Sequence, residues 1–231
     1  MEGKRLTFIE HLEELRIGII KSLGCIIIAS ILAYTFTDKI FANLTRPLGG
    51  TLVFIAPQEA FVTNIKIALF MGFYFSLPFI LYQFWRFIAQ GLHKGEMGHV
   101  SLLAFLSFLF FIIGSCFGYF VIVPVAVKFL LGFGKGFAVS MISVDKYVSF
   151  VTVLTFVFGL AFELPIAILL FSKAGIVTPQ YLSANRRYAV VIIFIVAAIF
   201  TPPDVVSQCL LAVPLLALYE LSIILTRLLS R

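Results

Sequence analysis

Long apolar runs separated by short polar stretches dominate the chain. Six qualify or nearly qualify as membrane spans: Ile17–Phe36, Ile65–Trp85, Val100–Val123, Val148–Phe171, Tyr188–Phe200 and Val205–Leu225. A helix rises ~1.5 Å per residue, so crossing ~30 Å of hydrocarbon takes about 20 apolar residues. Pro78, Pro165 and Pro214 fall inside spans two, four and six. Kinks are expected there, with neighbouring helices satisfying the freed carbonyls. The fifth run is short, roughly 20 Å of helix, and a tight Thr201-Pro202-Pro203-Asp204 turn follows it. Two short helices joined this way either thin the bilayer or re-enter it from one side. Arg186 and Arg187 before the hairpin, and Arg227 and Arg231 after it, favour a crossing. The first run has no A-x-A-like cleavage site after it and reads as a retained span, not a signal peptide. The predicted fold class is therefore all-α: a polytopic membrane protein with six transmembrane helices, the last two short, forming one domain over residues 1–231.

Composition supports the membrane class. Hydrophobic residues make up 61% of the 231 positions and charged residues 12%. Soluble domains carry about 45–50% and about 25%, so this chain has too little polar surface to stay in solution. The net charge of +6 comes with no nucleic-acid motif, and the cations lie mostly at the ends of apolar runs. With six spans, Arg5, Arg16, Arg86, Arg186, Arg187, Arg227 and Arg231 share one side and Arg46 lies alone on the other. The positive-inside rule then places both termini in the cytoplasm. Two long outside segments, Thr37–Thr63 and Pro124–Tyr147, contain amphipathic stretches (Val125–Leu131 in the second) expected to lie along the membrane surface. Cys25, Cys116 and Cys209 sit in separate apolar runs, without metal spacing.

Few residues offer chemistry. Phe8, Leu12 and Leu15 form a helical stripe flanked by Glu10, Glu13 and Glu14. These acids are either a solvated lead-in near a helix N-terminus or carboxylates held for a basic partner. Glu96 is the only acid of the loop before span three, so Glu14 and Glu96 can meet on one cytoplasmic surface. Two such carboxylates suit a ligand with two guanidinium groups, because Arg binds carboxylates in bidentate fashion. Glu163 sits in span four between Phe162 and Leu164-Pro165. A charge at such depth costs about 2.5–3.5 kcal/mol on insertion scales. Glu163 should be neutral and bonded to a neighbouring helix, or should face a wet or partner-filled cavity. There is no HExxH, no G-x-S-x-G and no mid-span aspartate. No catalytic residue, cofactor or metal site is expected. The competing reading is a small-solute or proton-coupled transporter using Glu163 and Lys66, for which few converging polar groups are available.

The run His11-Leu12-Glu13-Glu14-Leu15-Arg16 resembles the N-terminal motif of the TatC family, core subunit of the twin-arginine protein translocase. The likeness extends over nearly the whole chain: Leu77-Pro78 with Tyr82-Gln83-Phe84-Trp85 and Phe87-Ile88, Gly91-Leu92 with Glu96, Phe162-Glu163-Leu164-Pro165, Arg186-Arg187-Tyr188, and Thr201-Pro202-Pro203-Asp204 with Gln208. Gln90 departs from the proline usual in the family's first cytoplasmic loop. The resemblance implies a receptor, not an enzyme, for twin-arginine signal peptides of folded cargo. Export would be driven by the proton-motive force at the bacterial inner membrane. It assigns Glu14, Glu96, Arg16 and Phe87 to signal-peptide binding. It assigns Glu163, Thr201 and Gln208 to docking partner helices of the single-span subunits TatA and TatB. It gives structural roles to Pro47, Pro78, Pro165, Pro202, Pro203 and Asp204. It also implies a hetero-oligomer with several TatC copies.

Overall fold

The computed structural model describes residues 8–48, 52–91, 100–132, 141–201 and 204–229. Its helices are α1 (Phe8–Tyr34), α2 (Thr37–Leu44), α3 (Glu59–Gly91), α4 (Val100–Phe117), α5 (Val123–Gly132), α6 (Val144–Phe162), α7 (Leu164–Lys173), α8 (Pro179–Ala184), α9 (Arg186–Phe200) and α10 (Val205–Leu229). Among the described residues, five helical stretches are long and apolar enough to cross a membrane: Ile9–Tyr34, Glu59–Ile88, Val100–Gly132, Val144–Lys173 and Val205–Leu228. Helix α9 has 15 residues, roughly 22 Å of rise.

Several boundaries differ from the sequence reading. The last two spans are not both short, because α10 runs for 25 residues. The polar residues along it are satisfied without ending the helix. The Ser222 hydroxyl donates to the Leu218 carbonyl at 2.6 Å, and the Thr226 hydroxyl donates to that of Ser222 at 2.7 Å. The third span does not stop at Val123. Gly118–Ile122 forms a π turn, in which the Val123 amide reaches back to the Gly118 carbonyl, and the helix continues as α5. Residues 125–131 thus continue the helix that carries the third apolar run. The π turn accommodates Pro124, which has no amide hydrogen for the ladder. The all-α expectation also missed a two-stranded parallel pairing, Leu52 with Ile142 and Val53 with Ser143 (β1 and β2).

Pro165 has the effect expected of it. Helix α6 ends and α7 begins at Glu163, with Pro165 in the first turn of the new helix, where its missing amide costs nothing. Pro78 lies within α3 and Pro214 within α10, and both helices continue past them. Pro47 belongs to a 3₁₀ turn over Arg46–Leu48. Pro202 and Pro203 lie outside the described residues.

The chain divides into two compact units, one of α1, α3 from Phe61 and α4 as far as Phe108, the other of residues 42–60 and the chain from Leu109 onward. In the first unit, α1 and α3 are antiparallel and touch closely at Ser30 and Gly72. A methyl group on Gly72 would stand 2.6 Å from the Ser30 amide nitrogen, so only glycine admits this approach. Trp85, 3% exposed, donates its indole N–H to the Ser107 hydroxyl at 2.6 Å. In the second unit, Phe111, Phe158, Val148, Val151, Leu211 and Ala212 are almost fully buried. Helices α4 and α6 interlock through glycine notches: a Cβ on Gly159 would lie 2.7 Å from the Phe111 ring, and one on Gly114 2.7 Å from Phe162. The Tyr119 and Tyr147 hydroxyls donate to the carbonyls of Asn43 and Leu44, tying residues 43–44 to the π turn and α6.

Candidate functional site

Within the first unit, α1 and α3 meet at two places and part between them. At one end is the Ser30–Gly72 contact. At the other, the His11 ring stacks on Phe87 with centroids 4.3 Å apart and planes 14° from parallel. Between these points lies a groove of about 430 Å³, lined by Glu14, Gly18, Lys21 and Ile26 of α1 and by Phe73, Ile80, Gln83, Arg86 and Phe87 of α3. A Cβ on Gly18 would meet nothing within 4 Å, so the missing side chain widens the groove.

Glu14 is half-buried, and its Oε2 is buried with no hydrogen-bond partner among the described residues. A carboxylate oxygen so placed carries a desolvation cost that a cationic ligand would relieve. The structure therefore brings Glu14 and Phe87 to one surface. Arg16 points elsewhere: its side chain is 71% exposed and lies 3.9 Å from Glu13 one turn back. Glu96 lies outside the described residues. Sequence reasoning missed Lys21, Gln83 and Arg86 as groove residues. It counted Arg86 only for orientation, though the three-to-four-residue spacing of Glu14, Gly18 and Lys21 along one helix face was available as a signal.

In the second unit, Glu163 occupies the break between α6 and α7. It is half-buried with Oε1 buried, and its carbonyl accepts from the Ala167 amide at 2.9 Å. Thr201, 9% exposed, donates its hydroxyl to the Ala197 carbonyl at 2.8 Å. Gln208 donates its side-chain amide to the Phe194 carbonyl at 3.0 Å and so pins α10 to α9. Asp204 caps α10 by accepting from the Ser207 amide at 2.7 Å. Arg186, at the start of α9, grips Glu220 of α10 in bidentate fashion at 2.8 and 2.9 Å.

A family model described as Sec-independent protein translocase protein (TatC) matches residues 10–214. The chain belongs to the TatC family. The TatC of Aquifex aeolicus is 43% identical over 229 residues, covering 96% of this chain and 95% of its relative. That of Carboxydothermus hydrogenoformans is 41% identical over 231 residues, covering 98% and 95%. A crystal structure of the twin-arginine translocase receptor TatC superimposes with a TM-score of 0.88 at 42% identity, covering 96% of this chain and all of that one. The chain is accordingly a subunit of the Sec-independent, twin-arginine protein translocase, a multi-pass membrane protein that works with the other components of that system. The small-solute transporter is set aside. The family is that of a translocase receptor subunit, not one known for an enzymatic activity.

Proposed function

We propose that this protein receives the twin-arginine signal peptides of folded cargo on the cytoplasmic face of the bacterial inner membrane, for export driven by the proton-motive force. The observation that carries this reading is the buried, unpartnered Oε2 of Glu14 at the edge of an open groove. Glu14 binds one guanidinium of the arginine pair and Glu96 the other. Phe87, held flat by His11, supplies an apolar wall. Arg16 stands outside the groove and acts by steering, not contact.

The same proposal takes α9 as a sixth, short crossing that thins the bilayer, with both termini cytoplasmic, in one domain spanning residues 1–231. The single-span partners TatA and TatB dock beside the α9–α10 hairpin. There the carbonyl oxygen of the Gln208 side chain faces a partner while its amide is held by Phe194. Thr201 fixes the hairpin's turn. Glu163, at its helix break, meets a polar group of a partner helix. Several TatC copies join the hetero-oligomer, and no step is enzymatic.

The test is the binding of a twin-arginine peptide and of its Lys-Lys counterpart to the purified chain in nanodiscs. Glu14→Gln should weaken twin-arginine binding by roughly tenfold or more, the worth of one charge-assisted hydrogen bond, and should narrow the gap to the Lys-Lys peptide. Unchanged affinity in the Glu14→Gln, Glu96→Gln double variant overturns the assignment.

A further inference from the structure

The α1–α3 groove carries more cation than one acid needs. Lys21 and Arg86 both line it, and neither is ion-paired with another described residue. Helical side chains lean towards their own helix N-terminus. Because α1 and α3 are antiparallel, the Cα–Cβ bond of Lys21 tilts towards the His11–Phe87 end and that of Arg86 tilts away from it, so both exposed cations border the one groove. Beyond them the walls are apolar, with Ile26, Phe73 and Ile80 leading towards the Ser30–Gly72 contact. Two cations bordering one apolar trough suit an amphiphile with an anionic head and a hydrocarbon tail. Basic pockets between membrane helices bind anionic lipid headgroups by this charge arrangement.

We infer that between cargoes the groove holds an anionic phospholipid, its phosphate between Lys21 and Arg86 and an acyl chain along Ile26, Phe73 and Ile80. This rests on the reading of the groove as the peptide site only in that both ligands would occupy it. The two ligands have opposite charge, so Glu14 acts on them with opposite sign. It attracts the guanidinium groups and repels the phosphate. The resting lipid shields the apolar walls, and an arriving arginine pair displaces it.

The full chain in phosphatidylcholine nanodiscs tests this by titration with tail-spin-labelled phosphatidylglycerol, with labelled phosphatidylcholine as reference. The expected result is a motionally restricted population selective for phosphatidylglycerol. In Lys21→Gln, Arg86→Gln the selectivity should fall about fivefold per cation removed, and in Lys128→Gln, whose cation is exposed and lies outside the groove, it should not change. Glu14→Gln should raise phosphatidylglycerol binding while lowering that of the twin-arginine peptide. Full selectivity in the double variant, or an equal loss in Lys128→Gln, overturns the lipid site. Restriction of neither lipid overturns it in favour of a polypeptide occupant. Loss of the Glu14 effect on the peptide alone overturns the peptide site and leaves the lipid site standing.

Discussion

Gly72 sets how closely α1 and α3 approach, so the groove depends on a hydrogen atom where other residues carry carbon. In Gly72→Ala the new methyl would stand 2.6 Å from the Ser30 amide nitrogen and 2.7 Å from its Cα. Both are backbone atoms inside a helix and cannot swing aside as a side-chain tip would. Relief requires moving one helix against the other. Forced overpacking of this kind costs about 1–3 kcal/mol. Replacing glycine by alanine also gains up to about 1 kcal/mol of helix propensity, which would blur a single measurement. Gly24→Ala supplies the reference, since a Cβ there meets nothing within 4 Å and the propensity gain is the same. The gap between the two variants therefore isolates the packing term at about 1–3 kcal/mol. In detergent, Gly72→Ala should melt about 2–4 °C lower than Gly24→Ala for each kcal/mol of that gap. Adding Ser30→Ala should not restore it, because the clash is with the main chain as well as the hydroxyl. Equal melting temperatures, or rescue by Ser30→Ala, would refute the close contact.

Ser107→Ala leaves the buried Trp85 indole N–H without an acceptor and should cost about 1–3 kcal/mol. Trp85 is the only tryptophan, so its emission maximum reports the change directly. Glu220→Gln removes the charge opposite Arg186, but both side chains are about half exposed (46% and 49%). The loss should be at most about 1 kcal/mol and should shrink in high salt, as read by melts at two ionic strengths. Gln208→Leu deletes the bond to the Phe194 carbonyl and should cost about 1 kcal/mol. Its effect should be seen first as faster hydrogen exchange along α9.

Five spans were legible because their apolar runs are long, and the family resemblance rested on motifs spread through the chain. Boundaries were less legible. The polar Thr63 and Asn64 made span two seem to begin at Ile65, but the helix starts at Glu59. Glycine and proline near residues 118–124 read as a span end, yet a π turn absorbs them. Whether a break continues as helix depends on which carbonyls find donors after packing, which periodicity does not encode. For the candidate site, Glu14 and Phe87 could be named from the sequence. The groove could not, because it exists only where the Ser30–Gly72 and His11–Phe87 contacts let two helices separate between them. Arg86 looked only like an orienting charge for the same reason.

Helix α10 binds what precedes it. Its Tyr219 hydroxyl donates to the Leu182 carbonyl of α8 at 2.9 Å, its Gln208 holds α9, its Arg227 reaches Ser183, and it packs along α7. During synthesis these three elements leave the ribosome before α10 does. Until α10 arrives, the Leu182 and Phe194 carbonyls and the Ser183 hydroxyl lack these donors, and apolar faces of α7 to α9 lack neighbours. Assembly of these elements therefore has to wait for α10, and a nascent chain stalled near Asp204 would present chaperones and quality-control proteases with an unfinished bundle.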